Sequence, residues 1–290
     1  MTSVIIGASG QIGRFLRQAS PSRSCTGLDL TYPPESGFRL DITRKDEVDG
    51  AFGRHQPRHV FLTAALTHVD FCEERPEEAR RINVLGTQNV VEACKAARSK
   101  LIFFSSEYVF DGNHGPYREE DFPSPVSVYG KTKWESEKTI ADSLPDYLIV
   151  RTTVVYSYDP EGKNFLMQLQ NRLGSGQRMR VASDQWSHPT YAPSLAEIVW
   201  ELVLHGARGI YHVVGPDYLS RYQFAQMAAR NLGLDPGLLE PVPTYQLQQK
   251  APRPLKAGLL TDKLKSFLGH VPIGVQEALL RIQQEIPHDG

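Results

Sequence analysis

The sequence is poor in cysteine and lacks any segment that would carry the chain into or across a membrane. Three cysteines occur among 290 residues and none forms a CxxC pair, so we expect a reducing compartment and no disulfide framework. No apolar run approaches the roughly 20 residues that span a bilayer. The first residues lack the basic flank of a signal peptide. These absences predict a cytoplasmic protein with no membrane partner.

An excess of charge of one sign is also missing. Lys and Arg together number 32 and Asp and Glu number 33, which gives a formal net charge of −1. A nearly neutral chain offers no broad basic field to a polyanion, so no nucleic-acid partner is expected. An anionic substrate must therefore be bound by a local group of residues.

Short apolar runs alternate with longer amphipathic ones through the first half of the chain. The apolar runs predict strands at 4–6, 26–29, 38–40, 59–62, 101–104 and 147–150. The amphipathic runs predict helices at 11–19, 45–54, 73–98 and 126–143. Strands that alternate with helices indicate an α/β fold of the Rossmann type, in which a doubly wound parallel sheet is covered on both faces.

After Tyr156 the alternation loosens, and Pro and Gly become frequent. Helices are predicted at 165–173, 195–204, 221–232 and 261–268, and a strand near 209–214. We interpret residues 1–156 as a dinucleotide-binding domain, with return segments near 185–215. Residues 157–290 are interpreted mainly as a smaller α+β cap that binds the substrate.

Three glycines follow the first predicted strand and lead into the first predicted helix. Gly7 permits a tight turn, Gly10 lets the backbone approach a pyrophosphate, and Gly13 allows the helix to pack closely on the strand. The helix begins at Gln11 and Ile12, where its N-terminus favours an anion. The strand, loop and helix together predict a site for a nicotinamide dinucleotide, although a purely structural turn is the alternative.

Two further places on the predicted sheet edge suit the same cofactor. Asp29 ends the second strand, where a carboxylate can accept hydrogen bonds from the adenosine ribose and would repel a 2′-phosphate. A turn cap is the alternative role for this side chain. Ala64 and Ala65 follow the fourth strand, where small side chains let a cofactor pass close to the backbone. The choice between NAD and NADP stays open.

Tyr129 and Lys133 are four residues apart, which places both on one face of a predicted helix. A tyrosine titrates near ~10, and a neighbouring ammonium stabilises the phenolate, so we expect Lys133 to lower the pKa of Tyr129. Lys133 is also expected to hold the nicotinamide ribose. The pair predicts proton transfer by Tyr129 next to a bound cofactor.

The GxxGxxG spacing and the YxxxK pair resemble the extended branch of the short-chain dehydrogenase/reductase superfamily. The resemblance implies that Ser106, at the end of the fifth strand, hydrogen-bonds the substrate carbonyl. It also implies that Asp41 and Ile42 lie beside the adenine ring. Ser106, Tyr129 and Lys133 are then the expected catalytic residues.

Longer segments resemble the dTDP-4-dehydrorhamnose reductase family over nearly the whole chain. These segments are SSEYVFDG at 105–112, PYREED at 116–121, YGKTK at 129–133, DQWSHPTY at 184–191 and APRP at 251–254. The resemblance implies reduction of a 4-keto sugar nucleotide with NADPH or NADH, as in dTDP-rhamnose biosynthesis. Glu107, Tyr108 and Arg253 are the substrate-binding residues that it implies, with Arg253 as a clamp for the diphosphate; a surface ion pair is the alternative for Arg253.

The chain departs from that family's usual pattern at three positions. Ser106 stands for Thr, Glu107 stands for Asp, and Val154 stands for a Trp of the sugar-nucleotide pocket. The same segments resemble the regulatory beta subunit of methionine adenosyltransferase, so a non-catalytic NADP-binding subunit of a partner enzyme is one alternative. An NAD-dependent sugar-nucleotide epimerase or dehydratase is another. A homodimer is also left open.

Two other groups of polar residues stand out in the sequence. His68, Asp70, Cys72 and Glu73 have the side chains of metal ligands, but their spacing does not make a closed coordination shell, so we interpret them as a loop and expect no metal. Asn83 lies inside a predicted helix. The superfamily resemblance implies that it holds a helix bend beside the active site.

Overall fold

In a computed structural model, residues 2–21, 25–31, 38–160, 162 and 164–286 are described, and they are built around one parallel sheet. Its seven strands are β1 Ser3–Ile6, β2 Cys25–Asp29, β3 Phe38–Arg39, β4 His59–Leu62, β5 Lys100–Ser106, β6 Tyr147–Thr152 and β11 Gly209–His212. They lie in the order β11-β6-β5-β4-β1-β2-β3, and every neighbouring pair is parallel. The predicted α/β fold with a doubly wound parallel sheet is confirmed.

Helices cover both faces of this sheet. They are α1 Gln11–Gln18, α2 Lys45–His55, α3 Val69–Glu74, α4 Pro76–Arg80, α5 Gly86–Ala97, α6 Val128–Ser143 and α8 Ala192–Leu204. Alternate residues of each strand face opposite sides, so Ile5 packs in one core with α1 and α8, whereas Val4 and Ile6 pack in the other with α2, α5 and α6. None of the helices in the described ranges is long and apolar enough to cross a membrane.

The single helix predicted over 73–98 is wrong. Helix α3 ends before Arg75, which leaves helical geometry at φ −132° and ψ 66°. The physical reason is Pro76, because a proline ring disfavours the helical conformation of the preceding residue and is itself suited to a helix start. Farther along, a π-helical turn at Arg81–Leu85 separates α4 from α5. The helix predicted from 126 begins at Val128, because the Ser127 hydroxyl accepts a hydrogen bond from the Gly130 N–H.

The second half adds three small two-stranded sheets and four helices beside the large sheet. Their strands are β7 Val155–Tyr156, β8 Met179–Ala182, β9 Trp186–Ser187, β10 Thr190–Tyr191, β12 Leu219–Ser220 and β13 Leu239–Val242. Their helices are α7 Phe165–Gly174, α9 Arg221–Asn231, α10 Asp262–Leu268 and α11 Val275–Glu285. Strand β11 returns to the large sheet beside β6. The division into domains at 156 stays a prediction.

Several of these elements do not follow from the sequence pattern alone. Helix α11 buries Val275, Ala278, Leu279 and Ile282, whose spacing is that of an amphipathic helix. The small strands are only two to four residues long, and such runs have too few residues for a period to be seen.

In the large sheet, the carboxyl ends of β1, β4, β5 and β6 meet at one edge, which is where ligands of open α/β sheets bind.

Candidate active site

The glycine turn after β1 is closely packed. Gly7 has φ +91°, and a Cβ there would lie 2.5 Å from the backbone nitrogen of Ala64. A Cβ on Gly13 would lie 2.2 Å from the Gly7 carbonyl oxygen, so the helix can approach the turn only because both residues are glycine. Gly10 precedes α1 in extended geometry and has no side chain to cap its first N–H groups. The start of α1 is therefore suited to an anion.

A cavity of about 450 Å³ lies beside this turn. It collects most of the residues predicted to hold the cofactor, namely Gly7, Gly10, Asp29, Asp41, Ile42, Ala64 and Ala65. Asp29 Oδ2 accepts hydrogen bonds from the Ser9 backbone at 3.1 Å and the Ser9 hydroxyl at 2.5 Å, and Oδ1 accepts from the Thr31 N–H at 3.2 Å. The carboxylate thus caps a turn and lines the cavity at the same time, so both interpretations of Asp29 have geometric support.

A second cavity of about 350 Å³ continues from the first. Both are lined by Thr63 and Ala65, which places the two cavities end to end along the carboxyl edge of the sheet. Gln11, Ile12, Ser106, Tyr129 and Lys133 line the second cavity. Two buried hydroxyls in its wall, Ser105 Oγ and Thr152 Oγ1, have no hydrogen-bond partner within the part of the chain that is described. A dinucleotide fits this path. Its pyrophosphate would lie at the start of α1, and the Ser105 and Thr152 hydroxyls would be free to hydrogen-bond a ligand at the far end.

The three residues predicted to be catalytic come together at the far end of this path. Ser106 ends β5, and its side chain interacts with the hydroxyl of Tyr129 on the first turn of α6, whose pKa it lowers. Lys133 lies one turn later, is buried, and donates a hydrogen bond to the Phe104 carbonyl at 2.9 Å. A Cβ on Gly130 would lie 2.0 Å from the Tyr108 carbonyl oxygen. This glycine therefore lets α6 approach the end of β5 closely enough for Tyr129 to reach Ser106.

The pKa of Tyr129 is raised by burial, which the hydrogen bond from Ser106 only partly offsets. The prediction that Lys133 lowers this pKa is wrong for the arrangement described. The Lys133 ammonium is directed at the Phe104 carbonyl and lies 5.9 Å from the centre of the Tyr129 ring. Burial also lowers the pKa of Lys133 to about 8, opposed by Glu137 and Cys72. At neutral pH Tyr129 therefore holds its proton, and Lys133 remains mostly charged.

Glu107 lies in the second cavity but is engaged within the protein. One carboxyl oxygen accepts the Thr153 hydroxyl, and the other accepts the Gly258 N–H at 2.9 Å. Burial raises the pKa of this carboxyl to about 7, against the effects of Thr153, Gly258 and Arg221. The side chain joins the end of β5 to the 256–259 segment. Tyr108 also lines the cavity, and its ring stands edge-on to that of Tyr129 at 5.6 Å.

Arg253 is held within the protein and does not itself line the second cavity, although its charge acts on Tyr108 and Arg221, which do. Its guanidinium donates to Asp70 at 2.9 Å and to the Ala251 carbonyl at 3.2 Å. Among the residues that line the second cavity, the 251–254 segment contributes Pro254. Arg253 is therefore paired in this structure, with a side chain that is 8% exposed rather than on the surface, and its role toward a diphosphate stays a prediction.

Two side chains in the cavity wall were missed by sequence reasoning. Trp186 on β9 and Arg221 at the start of α9 both line the second cavity. The Trp186 ring lies 5.6 Å from that of Tyr218, and the Arg221 guanidinium lies 4.5 Å above the Phe165 ring. Signals for both were available, since Trp186 falls inside the DQWSHPTY segment and Arg221 follows Ser220, whose capping box with Gln223 marks a helix start.

Val154, which stands where the family resemblance expects Trp, also lines the cavity, with φ +41°.

The remaining polar residues singled out in the sequence are engaged by partners within the protein. His68 accepts the Phe71 N–H, Asp70 pairs with Arg253, Cys72 donates to the Leu66 carbonyl, and Glu73 accepts the Val128 N–H. No group of three or more His, Cys, Asp or Glu arranged to hold a metal occurs in the described ranges.

Asn83 lies in the π-helical turn, as a helix bend requires. Its amide pairs with the Leu66 N–H and carbonyl at 2.8 and 3.0 Å and donates to the Thr132 hydroxyl at 3.1 Å. The bend thus ties the loop after β4 to α6, the helix that carries Tyr129 and Lys133.

Comparisons with known proteins cover nearly the whole chain. A family model described as the RmlD substrate binding domain matches residues 1–287. The chain is 32% identical to a dTDP-4-keto-6-deoxy-D-glucose reductase from Streptomyces niveus over 253 residues, which cover 87% of this chain and 85% of that relative. It is 33% identical to the spore coat polysaccharide biosynthesis protein SpsK of Bacillus subtilis over 287 residues, 98% of each.

Solved structures share the architecture. A crystal structure of a dTDP-4-dehydrorhamnose reductase from Bacillus anthracis in complex with NADP matches with a TM-score of 0.90 at 28% identity, covering 99% of this chain and 100% of that one. A UDP-glucose 4-epimerase from Thermus thermophilus in complex with NAD matches with a TM-score of 0.83 at 23% identity, over 99% and 100%. The second likeness is evidence of a common fold alone.

Proposed function

The chain belongs to the family of the RmlD substrate binding domain, and from that premise we propose that it reduces the 4-keto group of a dTDP-activated 6-deoxy sugar. It is an oxidoreductase that uses NAD(P)H and acts on a sugar nucleotide, as named relatives over nearly its full length do. The resemblance to dTDP-4-dehydrorhamnose reductases is confirmed. The observation that carries the proposal is the buried Tyr129 hydroxyl next to the Ser106 side chain, where the cofactor path opens into a second cavity.

The residues around Tyr129 suit a reduction. Reduced nicotinamide, when bound, supplies the hydride. Tyr129 donates its proton to the ketone oxygen as negative charge develops there, and the product is the secondary alcohol. Ser106 hydrogen-bonds the same oxygen and positions it. Lys133 donates to the Phe104 carbonyl beside the Tyr129 ring, and its ammonium can also hold the ribose of the bound cofactor. At neutral pH Tyr129 carries the proton to be donated, and the burial that raises its pKa makes it a weaker acid.

The wall opposite Tyr129 supports a sugar diphosphate as substrate. The Trp186 ring offers a flat apolar face for a deoxy sugar, and it comes from β9 rather than from the position of Val154. Arg221 offers a guanidinium that can bind two diphosphate oxygens. Arg221 contacts the Phe165 ring within the protein and so lies at the cavity already oriented. Together they supply an aromatic platform and a cation in the cavity wall.

Trp186→Ala should raise KM for the sugar nucleotide about tenfold and change kcat little, because stacking on an aromatic ring contributes to binding rather than to proton transfer. Steady-state kinetics with saturating cofactor measure both constants. The matched control is Trp134→Ala, since Trp134 packs against exposed Phe122 and lies outside the lining of both cavities. An unchanged KM in the Trp186 variant would remove this ring from the substrate site.

We propose NADH as the preferred cofactor, since the Asp29 carboxylate lines the first cavity and would repel a 2′-phosphate. Asp29→Asn should shift the ratio of kcat/KM for NADH over NADPH toward NADPH by at least about tenfold. Asparagine keeps an oxygen for the turn hydrogen bonds. The control is Asp49→Asn on the exposed side of α2, where the carboxylate pairs with Lys45. The same ratio of kcat/KM for NADH over NADPH in the parent, the Asp29→Asn variant and the Asp49→Asn variant would contradict the proposal.

The function itself is tested by oxidation of NADH and of NADPH with a panel of 4-keto sugar nucleotides that includes dTDP-4-keto-6-deoxyglucose. Consumption of reduced cofactor with formation of the 4-hydroxy sugar is the expected result. Cofactor binding without turnover, together with a stable partner recovered from cells, would instead favour a regulatory subunit. Oxidised cofactor that survives dialysis would favour an epimerase or dehydratase. Assembly as a homodimer and a cytoplasmic location stay predictions from the sequence.

A further inference from the structure

A separate polar cleft, distinct from the two cavities described above, lies at the edge of the sheet opposite to the active site. Its volume is about 410 Å³, and it is formed by the amino ends of β4 and β5 and by the turn between α8 and β11. Its ionisable lining groups are four cations, one histidine and one carboxylate: Arg58, Arg98, Lys100, Arg208, His59 and Asp146. The mechanism above uses none of them.

The cleft holds more cationic side chains than its one carboxylate can neutralise. Asp146 pairs with Lys100 at 3.0 Å and with Arg208 at 3.3 Å. Within the described part of the chain, neither Arg58 nor Arg98 forms an ion pair. The chain as a whole is almost neutral, so this concentration of charge is local to the cleft. Cations gathered around a concave surface focus a field that attracts anions.

The backbone holds these cations in place. The Arg58 N–H donates to the Thr2 carbonyl at 2.9 Å, and the Lys100 N–H donates to the Arg58 carbonyl at 2.9 Å, so strand pairing fixes both residues. The buried Lys100 ammonium donates to the Ala207 carbonyl at 2.6 Å, which brings the turn that carries Arg208 to the cleft. Arg98 ends α5 with φ +54°. Glycine is the usual residue at such a position, yet here the chain has an arginine whose side chain reaches the cleft.

We propose that this cleft binds the phosphate chain of a nucleoside di- or triphosphate. Guanidinium groups match phosphate oxygens in pairs, and Arg58 and Arg98 are the two that lack a carboxylate partner among the described residues. The volume lies in the range of roughly 300–1,000 Å³ of small-ligand sites. Leu204, which is 58% exposed, and Val203 add an apolar surface for the nucleoside. Because the charge is confined to a cleft rather than spread over a face, a small anion suits it better than a nucleic acid.

Calorimetric titration of the NADH-saturated protein with inorganic triphosphate at low salt tests the proposal, because the cofactor then fills its own anion site. We expect measurable binding that weakens as NaCl is raised, since screening acts on exposed charges. In an Arg58→Gln, Arg98→Gln double variant the dissociation constant should rise at least tenfold. Glutamine keeps most of the side-chain length and leaves the backbone conformation at position 98 equally demanding. An Arg178→Gln, Arg180→Gln variant, which removes two exposed arginines elsewhere, should bind like the parent.

A second titration with ATP separates the nucleotide from its phosphates. Tighter binding than that of inorganic triphosphate, lost in the double variant, supports a nucleotide site. Binding of either probe that is equal in the parent and the double variant would overturn the proposal, as would no binding to the parent at millimolar concentration. If the double variant does not fold, Arg58→Gln alone decides the question, because Arg58 is exposed. Sugar-nucleotide turnover serves as the fold control and is expected to be unchanged, because neither arginine touches the active site.

Discussion

Tyr129→Phe is expected to lower kcat for sugar-nucleotide reduction by about 10³-fold and to leave the dissociation constant of NADH within about twofold of the parent value. The phenylalanine ring fills the same space next to the Tyr108 ring, so the packing at the end of α6 is retained. What is lost is the hydroxyl that lies next to the Ser106 side chain and holds the proton for the developing alkoxide. The expected loss lies within the range of roughly 10²–10⁴ for general acid catalysis.

Two measurements test this expectation. Stopped-flow or steady-state oxidation of NADH gives kcat, and quenching of protein fluorescence gives NADH affinity. Tyr245→Phe is the control, because this tyrosine is 79% exposed and distant from the chemistry. Turnover in the Tyr129 variant within tenfold of the parent would show that another group supplies the proton. A large loss of NADH affinity would show that Tyr129 serves the cofactor site rather than the reaction.

The features that sequence reasoning located are those whose signal is local. Gly7, Gly10 and Gly13 are read from a strand, a turn and a helix within thirteen residues, and Tyr129 and Lys133 from a single helical turn. The apolar strands of the large sheet were placed within one or two residues at each end, including β5, whose predicted end at 104 falls two residues before Ser106. Each of these depends on neighbours in the chain, and the fold then brings the separate pieces to one edge of the sheet.

The features that it missed depend on contacts between distant parts of the chain. Trp186 faces the cavity because β9 pairs antiparallel with β12, more than thirty residues later. Arg253 is engaged by Asp70, 183 residues before it, and no local pattern reports such a pair. The pKa of Tyr129 was misjudged for the same reason. Helical spacing places Lys133 on the same face, but the Phe104 carbonyl on β5 determines where its ammonium points.

A buried ion pair connects the sheet to the helix that carries the active-site residues. Arg151 on β6 is 2% exposed and Glu137 on α6 is 3% exposed. The guanidinium donates through Nε at 3.0 Å and through Nη2 at 2.7 Å to the two carboxyl oxygens. It also donates to the Glu119 carbonyl at 3.3 Å and lies 5.1 Å from the Phe110 ring centre. The carboxylate has been removed from water, and this guanidinium compensates its charge.

Arg151→Met should therefore lower the free energy of unfolding by about 3–5 kcal/mol, because it leaves Glu137 buried without a countercharge. Methionine has a similar length and keeps much of the apolar packing. Urea unfolding at neutral pH, followed by circular dichroism, measures the change. The control pair is Arg281→Met on α11, where the exposed Arg281–Glu277 pair should be worth less than about 1 kcal/mol.

The double variant Arg151→Met, Glu137→Met separates the cost of an unpaired charge from the loss of the interaction itself. Apolar residues of similar volume can replace a buried ion pair at little cost, so we expect the double variant to be more stable than Arg151→Met alone. Its α6 would then pack on β6 without the pair. If the double variant is as unstable as the single one, the bonds of Arg151 to Glu119 and its packing on Phe110 stabilise the fold, and the charge of Glu137 is not the cause.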